Sequence, residues 1–432
     1  MARAANRSPA LPELQASEPR GGVSSTPMSS FATVAAAVIF VATYLIVAIG
    51  KIPVYRIDRA GAALLGGSLM VGFGILSADE AYQAISFDTL TLLLGMMIVA
   101  ANLRVSGFFR LVTYSVSLHV RHPLALLVAV VFVCGAFSAV LVNDTVCLVM
   151  TPLVLDVVLR LKRNPMPYLL AIAMGSNIGS VATITGNPQN MIVAGLSQVP
   201  YGAFAGALAP VAAAGLVLTL LLIAVSYRGE FFDGTRFASD PRPPRYHAKL
   251  TIKTVAVIAV MIALFFMGQP VAKVAIVGGA FLLFTRRVNP GKIYRDIDWP
   301  LLVMFAGLFI VVAGFEKAFV TPDLAGEIGL LHLDNDPALT VVTAVLSNLV
   351  SNVPAVLVLK PFVANLADPQ RAWLTVAMAS TLAGNFTLVG SVANLIVAYR
   401  AANRGIRIGF WEYFKVGAPL TVATLLIGLA WL

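Results

Sequence analysis

Four short polar segments interrupt the long apolar stretches of this chain and carry the residues that could bind ions. In chain order they are 142–146 (VNDTV), 184–190 (ITGNPQN), 351–354 (SNVP) and 389–394 (VGSVAN). Amide and hydroxyl side chains can complete the shell around an ion, while Gly and Pro unwind a helix so that backbone groups can join them. In lipid, such non-helical backbone persists only where protein or water satisfies it. The four segments should therefore face one another or an aqueous cavity.

The polar pattern is duplicated within the chain. Segments 170–194 and 374–398 match at an offset of 204, and each has a matched partner upstream, SAVLVNDTVCLVMTP and TAVLSNLVSNVPAVLVLKP. Duplicated hydrophobic segments that are interrupted by Gly and Pro are typical of the binding site of a secondary transporter. The sequence therefore predicts a transport site built from two halves.

Composition places the chain in a membrane. Of its 432 residues, 59% are hydrophobic and 12% are charged, and the mean hydropathy is +0.88. A soluble domain cannot bury that much apolar surface, and apolar runs near 20 residues are long enough to cross a bilayer as helices. The net charge of +10 does not predict nucleic-acid binding, because the basic residues lie in short loops, as in the cytoplasmic loops of membrane proteins.

The hydropathy pattern divides the chain into membrane-length segments. The predicted apolar segments are 31–50, 61–77, 88–103, 123–160, 167–194, 203–227, 250–267, 270–285, 298–317, 338–366, 372–398 and 410–431. Two of them, 123–160 and 338–366, contain an Asn-rich break, and we expect each to be a re-entrant hairpin. Every basic loop then falls on the cytoplasmic side, as the positive-inside rule requires.

These segments predict an all-α polytopic protein of the cytoplasmic (inner) membrane. Each half crosses the membrane five times, and an odd number of crossings makes the two repeats inverted, with the N-terminus outside. Each repeat has a re-entrant hairpin and a broken helix. The predicted parts are a disordered tail (1–28), repeat 1 (29–227, hairpin 123–160, broken helix 167–194), a cytoplasmic linker (228–249) and repeat 2 (250–432, hairpin 338–366, broken helix 372–398).

Asp144 is the only carboxylate at a predicted hairpin tip. An ionised aspartate at membrane depth costs at least ~2.5 kcal/mol unless it is paired or hydrated. It could bind a cation or carry a proton, and the alternative is a structural role as the N-cap of the outgoing helix. Its counterpart in the second repeat is Val353, so the two halves differ in charge.

This chain resembles the ion transporter superfamily in four sequence motifs, NDTVCLVMTP, SNVPAVLVL, SNIGSVATITGNPQN and AGNFTLVGSVANLIV. That group contains divalent-anion/sodium symporters, citrate–metal transporters, arsenite efflux permeases and NhaD-type sodium/proton antiporters. The sequence is most similar to the uncharacterised bacterial anion transporters near the arsenite permeases, and the match covers the chain after residue 30. The resemblance implies a homodimer in which a scaffold holds a mobile transport domain that works by an elevator motion.

The resemblance also implies site residues. A first cation site would use Ser138, Asn143 and the backbone near Gly186, and a second would use Ser347, Asn352 and the backbone near Gly390. The substrate would lie between them, near Asn143, Thr145, Asn187, Asn190, Asn352, Ser391 and Asn394. Neither tip carries the SNT triplet of the sodium-coupled members, which favours proton coupling or a single sodium site. No cofactor is expected apart from a bound sodium ion.

The sequence therefore predicts a secondary active transporter of a small inorganic or carboxylate anion, coupled to sodium or a proton. The alternative is a sodium/proton antiporter or an arsenite efflux permease on the same fold. An anion-sized gap lined by half-helix N-termini would favour the first, and a carboxylate-centred cation site the second. No GxGD, HExxH or prenyl-binding motif lies at membrane depth, so an intramembrane enzyme is not expected. The expected partners are the lipid bilayer, the anion and a second copy of the chain.

Overall fold

The first half of the computed structural model is almost entirely helical. The structure describes residues 30–52, 57–232, 243–285, 288–319 and 333–432. The helices of this half are α1 Ser30–Ile49, α2 Arg59–Gly72, α3 Ala78–Ala84, α4 Phe87–Ser106, α5 Phe108–His119, α6 Pro123–Val140, α7 Asn143–Arg160, α8 Met166–Ser180, α9 Pro188–Ser197, α10 Tyr201–Ser226 and α11 Arg228–Phe231. Strands β1 Lys51–Ile52 and β2 Ile57–Asp58 pair antiparallel between α1 and α2.

The second half follows the same plan. Its helices in the described residues are α12 Ala248–Phe266, α13 Val271–Leu283, α14 Pro290–Arg295, α15 Trp299–Phe319, α16 Asp336–Val350, α17 Asn352–Val363, α18 Pro369–Ala383, α19 Val392–Ala402 and α20 Phe410–Trp431. Each predicted hairpin is a pair of helices with a break between them, at Leu141–Val142 in the first and at Ser351 in the second.

Local sequence fixes where several helices begin. The Asp58 carboxylate accepts a hydrogen bond from Gly61 N at 2.8 Å and so caps α2. Ser77 and Glu80 form a capping box at the start of α3. Pro188 and Pro369 occupy the first helical position of α9 and α18, where the missing N–H costs nothing.

The helices have the length and surface of membrane spans. Seven helices among the described residues, α1, α4, α6, α10, α12, α15 and α20, are long and apolar enough to cross a bilayer. Their outer faces expose large apolar side chains such as Phe31, Leu221 and Ile252, which a water-soluble surface avoids. The prediction of an all-α polytopic membrane protein is confirmed. The number of crossings and the side on which each hairpin and the N-terminus lie remain predictions.

Two helix pairs, α4–α13 and α2–α15, pack closely, with α12 against the first pair and α1 against the second, and these six helices are called the scaffold here. A Cβ atom on Gly95 of α4 would lie 2.5 Å from the carbonyl carbon of Ala275, and a Cβ on Gly307 of α15 would lie 2.5 Å from the carbonyl carbon of Ala63. Residue 275 is 212 positions after 63, and 307 is 212 after 95. Such reciprocal contacts arise when two equivalent halves are related by a twofold axis.

Adding one methyl group at Gly307 is expected to destabilise the protein. In Gly307→Ala the new carbon meets the backbone of Ala63, which cannot rotate away, so α2 and α15 must separate. Overpacking of this kind costs about 1–3 kcal/mol, and we expect a lower thermal midpoint and a lower yield of monodisperse protein. Gly206→Ala on α10 is the matched control, since nothing lies within 4 Å of its added carbon. Equal midpoints for the two variants would contradict this packing.

Helices α6–α10 and α16–α20 flank the polar breaks and are called the site helices here. In both halves the first arm of the hairpin packs on the broken helix of its own half, as α6 on α8 and α16 on α18. The second arm packs on the broken helices of both halves, as α7 on α8 and α19, and α17 on α18 and α9. The hairpins therefore tie the two repeats together.

Two features of the fold differ from the pattern seen in the sequence. Helix α5 lies where only a basic loop was expected. The predicted linker 228–249 begins with a short helix, whose Phe231 is buried against the Tyr168 ring and whose Glu230 accepts a hydrogen bond from Arg163 Nε at 2.8 Å. Residues 233–242 of this linker, and the predicted disordered tail 1–28, lie outside the described residues.

Candidate functional site

A cavity of about 560 Å³ lies where the hairpins and broken helices meet the scaffold. Its polar lining residues are Asp58, Arg59, Asn143, Asp144, Gln189, Asp298, Ser351, Asn352 and Ser391. Its apolar walls come from both groups of helices, with Val47 and Met304 from the scaffold and Pro354 and Leu395 from the site helices. A cavity of this size suits a small ligand.

Four half-helices begin at this cavity. Helix α7 begins at Asn143, α9 at Pro188, α17 at Asn352 and α19 at Val392, and all four residues line the cavity. The N-terminus of a helix carries unpaired N–H groups and about half a positive charge. The cavity therefore collects the positive ends of four dipoles, an arrangement that attracts an anion.

Charged side chains of both signs also line the cavity. Among the described lining residues, Asp58, Asp144 and Asp298 are carboxylates and Arg59 is the basic one. Asp58 caps α2, and Asp298 accepts a hydrogen bond from Leu301 N at 3.1 Å. Within the described part of the chain, no side-chain or backbone donor pairs with the half-buried Asp144 carboxylate. Asp144 does not cap α7, because it is Asn143 Oδ1 that accepts a hydrogen bond, at 3.0 Å, from Asp144 N.

Buried asparagines hold the break of the first repeat in shape. Asn190 Nδ2 donates to the carbonyl oxygens of Ser180 and Thr183, at 3.0 and 2.9 Å. Asn187 Oδ1 accepts a hydrogen bond from Asn190 N at 2.8 Å and so caps α9. These bonds satisfy the carbonyls that the end of α8 leaves free.

The second repeat uses the same device at the same offset. Asn394 Nδ2 donates to the carbonyl oxygens of Gly384 and Thr387, at 2.7 and 3.2 Å. The Ser391 hydroxyl accepts a hydrogen bond from Ala393 N at 3.2 Å and caps α19. Asn394, like Asn190, is fully buried and lies outside the cavity lining. The repeat seen in the sequence is thus a repeat of hydrogen bonds.

Asn177 of α8 joins the two halves. Its Oδ1 accepts hydrogen bonds from Asn143 Nδ2 at 3.0 Å and from the Ser391 hydroxyl at 3.1 Å. Its Nδ2 donates to Asn385 Oδ1 at 3.0 Å and to Asn394 Oδ1 at 2.9 Å. The repeat equivalent of Asn177 is a threonine, so the search for identical repeated residues did not single it out.

That threonine, Thr381 of α18, makes the reciprocal connection. Its hydroxyl accepts hydrogen bonds from Asn187 Nδ2 and Gln189 Nε2, both at 3.2 Å. It donates to the carbonyl oxygen of Ala377 at 2.8 Å. Helix α8 therefore hydrogen-bonds to the break of the second repeat, and its equivalent α18 hydrogen-bonds to the break of the first.

The oxygen atoms of the two implied cation sites differ in their pairing. In the first, the Ser138 and Ser176 hydroxyls lie 2.7 Å apart, and the Asn143 amide bonds to Asn177 and Asp144. In the second, Ser347 Oγ and Asn352 Oδ1 are buried and have no hydrogen-bond partner within the residues that the structure describes. The second set leaves two oxygens free to bind a ligand.

Comparison with known proteins now places the chain. A family model described as citrate transporter matches residues 43–383, which is most of the chain. The chain belongs to the citrate transporter family. The resemblance to the ion transporter superfamily is therefore confirmed, and the protein is a multi-pass membrane transporter.

Individual curated proteins are similar to this chain along most of their length. The silicon efflux transporter LSI3 of Oryza sativa subsp. japonica is 28% identical over 88% of this chain and 93% of its own. An uncharacterised transporter of Mycobacterium tuberculosis is 29% identical over 93% of this chain and 98% of its own. The putative transporter arsB of Dictyostelium discoideum is 25% identical over 86% of each chain.

One solved structure is similar in fold. The Alcanivorax borkumensis YdaH transporter, described as having an unusual topology, matches with a TM-score of 0.58 and covers 92% of this chain and 96% of that one. At 16% sequence identity, this similarity supports the fold and not the function.

In this member of the citrate transporter family, the predicted substrate residues fall into two groups. Asn143, Asn352 and Ser391 line the cavity, whereas Thr145, Asn187, Asn190 and Asn394 do not. Of the residues predicted for ion coupling, Asn143, Asp144 and Asn352 line the cavity, and Ser138, Gly186, Ser347 and Gly390 lie outside its lining. Asp58, Arg59, Gln189 and Asp298 line it as well and were not predicted as site residues. Asp58 and Arg59 lie between predicted apolar segments, Asp298 lies at the start of one, and Gln189 lies within the polar break 184–190.

Proposed function

We propose that this transporter moves a small anion, an inorganic oxyanion or a carboxylate, across the cytoplasmic membrane by alternating access and couples the movement to a cation. The observation that carries this proposal is the convergence of four half-helix N-termini on one cavity of about 560 Å³. The positive ends of the helix dipoles and the Arg59 guanidinium face an anion from both the site helices and the scaffold.

The names of relatives support the same class of substrate. The rice relative is named for silicon efflux, and the family description names citrate, a carboxylate. A carboxylate presents oxygen atoms to the protein, as the donors of the cavity require.

The coupling cation binds at the second hairpin tip in this proposal. Ser347 Oγ, Asn352 Oδ1 and the backbone near Gly390 supply oxygen ligands, which suit a hard cation such as sodium. The corresponding oxygens of the first tip are already used in hydrogen bonds within the protein. The hydrogen-bond pairing of these oxygens therefore favours coupling to one sodium ion at the second tip. The alternative is coupling to a proton carried by Asp144.

Alternating access in this proposal moves the site helices against the scaffold within each protomer of a homodimer. Few polar contacts among the described residues cross this boundary near the second hairpin. Tyr44 Oη donates to the carbonyl oxygen of Pro354 at 3.3 Å, and Lys360 Nζ pairs with Glu316 at 2.9 Å. The Lys360–Glu316 pair is partly exposed and can break and re-form at modest cost, whereas the Tyr44 bond is buried.

A sodium/proton antiporter or an arsenite efflux permease is the second candidate. It is favoured by the excess of carboxylates on the cavity, where Asp58, Asp144 and Asp298 face the single Arg59 among the described residues. Such a lining attracts cations, and it favours an uncharged or weakly charged oxyacid over a polyvalent anion.

Thermal stabilisation of the purified protein separates the two candidates. The panel is sulfate, phosphate, citrate, silicic acid and arsenite, each with sodium or choline as the cation and at two pH values. A ligand that binds the folded state raises the midpoint by mass action. A shift with an anion that grows with sodium or acid supports anion symport. Shifts with sodium or pH alone would overturn it in favour of the antiporter, and a shift with arsenite alone would favour the efflux permease.

Replacing Asp144 with asparagine is expected to remove the pH dependence of transport. The wild-type rate should fall as rising pH strips the proton from Asp144, because an ionised carboxylate cannot deliver one, and an amide does not titrate. Initial uptake rates in proteoliposomes between pH 5 and pH 8 test this. Asp156→Asn is the control, since Asp156 lies on the same helix and pairs with Arg404 at 2.9 Å away from the cavity. A pH profile that Asp144→Asn leaves unchanged would refute the proton role.

A further inference from the structure

We propose that Asn177 is a positioning residue that transmits ion binding at the second hairpin tip to the first hairpin tip. This inference rests on the proposed function, because it takes the cation site at the second tip as its starting point. It adds a residue that the sequence pattern did not assign to the site, and it explains how two half-sites in different repeats act together.

The hydrogen-bonding capacity of the Asn177 amide is fully used. An asparagine side chain offers two N–H donors and an oxygen that accepts two hydrogen bonds. All four are occupied at distances between 2.9 and 3.1 Å, and the residue is 1% exposed. A saturated amide in a buried setting has one favourable orientation, because any rotation leaves a donor or acceptor unpaired.

The four partners come from both repeats. Asn143 forms the tip of the first hairpin and lines the cavity, whereas Ser391, Asn394 and Asn385 belong to the break of the second repeat. Ser391 directly follows Gly390, whose backbone is part of the proposed cation site. A displacement of this backbone therefore moves the Ser391 hydroxyl, and through Asn177 Oδ1 it reaches Asn143 Nδ2 in two hydrogen bonds of 3.1 and 3.0 Å.

The other repeat lacks this connection. Thr381 occupies the equivalent position, and its polar partners are Asn187, Gln189 and Asn190 of the first repeat and its own helix. None of these is a hairpin tip. Within the described residues, Asn177 is thus the side chain that hydrogen-bonds both to a hairpin tip and to the broken helix of the other repeat. Transmission should run through Asn177 and have no counterpart at Thr381.

Amide hydrogen exchange of the full-length protein in detergent tests the connection without any substrate. The variant is Asn177→Thr, which places at this position the residue that the second repeat has. We expect exchange to rise at least about tenfold in both 143–146 and 391–395, since each loses a hydrogen-bond partner. Asn102→Thr is the control, because Asn102 is a buried helical asparagine of the scaffold whose amide donates to Ile98 O. A rise in one segment alone, or in neither, would overturn the proposal.

A sodium titration then tests the transmission, with choline chloride holding the ionic strength constant. In the wild type, sodium should slow exchange at 352–355 and also at 143–146, although the first tip supplies no ligand to the proposed site. In Asn177→Thr, protection should persist at 352–355 and disappear at 143–146. Protection of both segments in the variant would refute the role of Asn177. Absence of any protection at 352–355 in the wild type would instead refute the proposed cation site, and the resting exchange rates would still decide the connection.

Discussion

Asn352→Ala is expected to reduce cation-driven transport by at least about 100-fold while the protein still folds. The Asn352 amide oxygen is buried and has no protein partner among the described residues, so its removal leaves no broken hydrogen bond behind. It does remove an oxygen ligand from the proposed sodium site, and loss of even a supporting group around a bound metal ion typically costs 10–100-fold. Initial uptake rates at several sodium concentrations, with expression and dimerisation checked in parallel, measure the effect.

The same change at Asn143 should also abolish uptake, for a different reason. Asn143 has all its amide contacts within the protein, and Asn143→Ala leaves one acceptor position of Asn177 empty. We therefore expect Asn352→Ala to raise the sodium concentration needed for half-maximal uptake, and Asn143→Ala to lower the maximal rate. Asn365→Ala is the control, because Asn365 follows the same hairpin arm and donates only to Pro361 O. Normal transport by both Asn143→Ala and Asn352→Ala would contradict the proposal that the two hairpin tips form the transport site.

The four polar breaks could be predicted from the sequence because lipid leaves little choice. A run of Asn, Ser, Gly and Pro inside an apolar stretch cannot continue as a helix facing hydrocarbon, so the chain must break there and face protein or water. The structure breaks at Leu141–Val142, at the edge of the predicted segment 142–146, whose residues from Asn143 onward are helical, and at Ser351, the first residue of the predicted segment 351–354. The internal repeat also predicted that the breaks correspond in pairs. The structure agrees, because the Asn190 and Asn394 amides donate equivalent hydrogen bonds.

The roles of individual residues within the breaks could not be predicted. Asn190 and Asn352 are the same residue type in equally polar segments, yet one braces backbone carbonyls and the other faces the cavity. That difference depends on the direction of each side chain, which a linear pattern does not carry. Asn177 escaped notice because its partners in the second repeat lie 208 to 217 residues away in sequence.

The scaffold repeat was missed for another reason. Its signal is a few small residues, Gly95 and Ala63 with their equivalents Gly307 and Ala275, and they act by letting backbones approach. Their offset of 212 differs from the offset of 204 in the broken helices, so a search at one offset passes over the other. Arg59 reads as a basic loop residue at the start of a helix, and only the fold brings it to the cavity.

Gly186→Ala is expected to abolish transport, and Gly390→Ala to impair it less. A Cβ on Gly186 would lie 2.7 Å from Ser180 Cα and 2.8 Å from its carbonyl carbon, so the backbone at the end of α8 would have to move. The Ser180 carbonyl accepts the Asn190 amide, and moving it breaks the brace of the first repeat. Overpacking against backbone costs about 1–3 kcal/mol, and the lost brace adds the penalty of unpaired buried groups.

At Gly390 the nearest atom to an added Cβ is the side-chain oxygen of Asn348, at 2.8 Å, and the nearest backbone oxygen lies at 3.1 Å. A side chain can shift, so the break of the second repeat should survive. Gly390→Ala should then keep a thermal midpoint near that of the wild type and bind sodium more weakly, because its backbone belongs to the proposed ion site. Midpoints and sodium-dependent uptake, measured on the same preparations, separate the two effects. Equal loss of stability in both variants would contradict the packing difference between the two breaks, and unchanged sodium dependence in Gly390→Ala would contradict the place of its backbone in the proposed ion site.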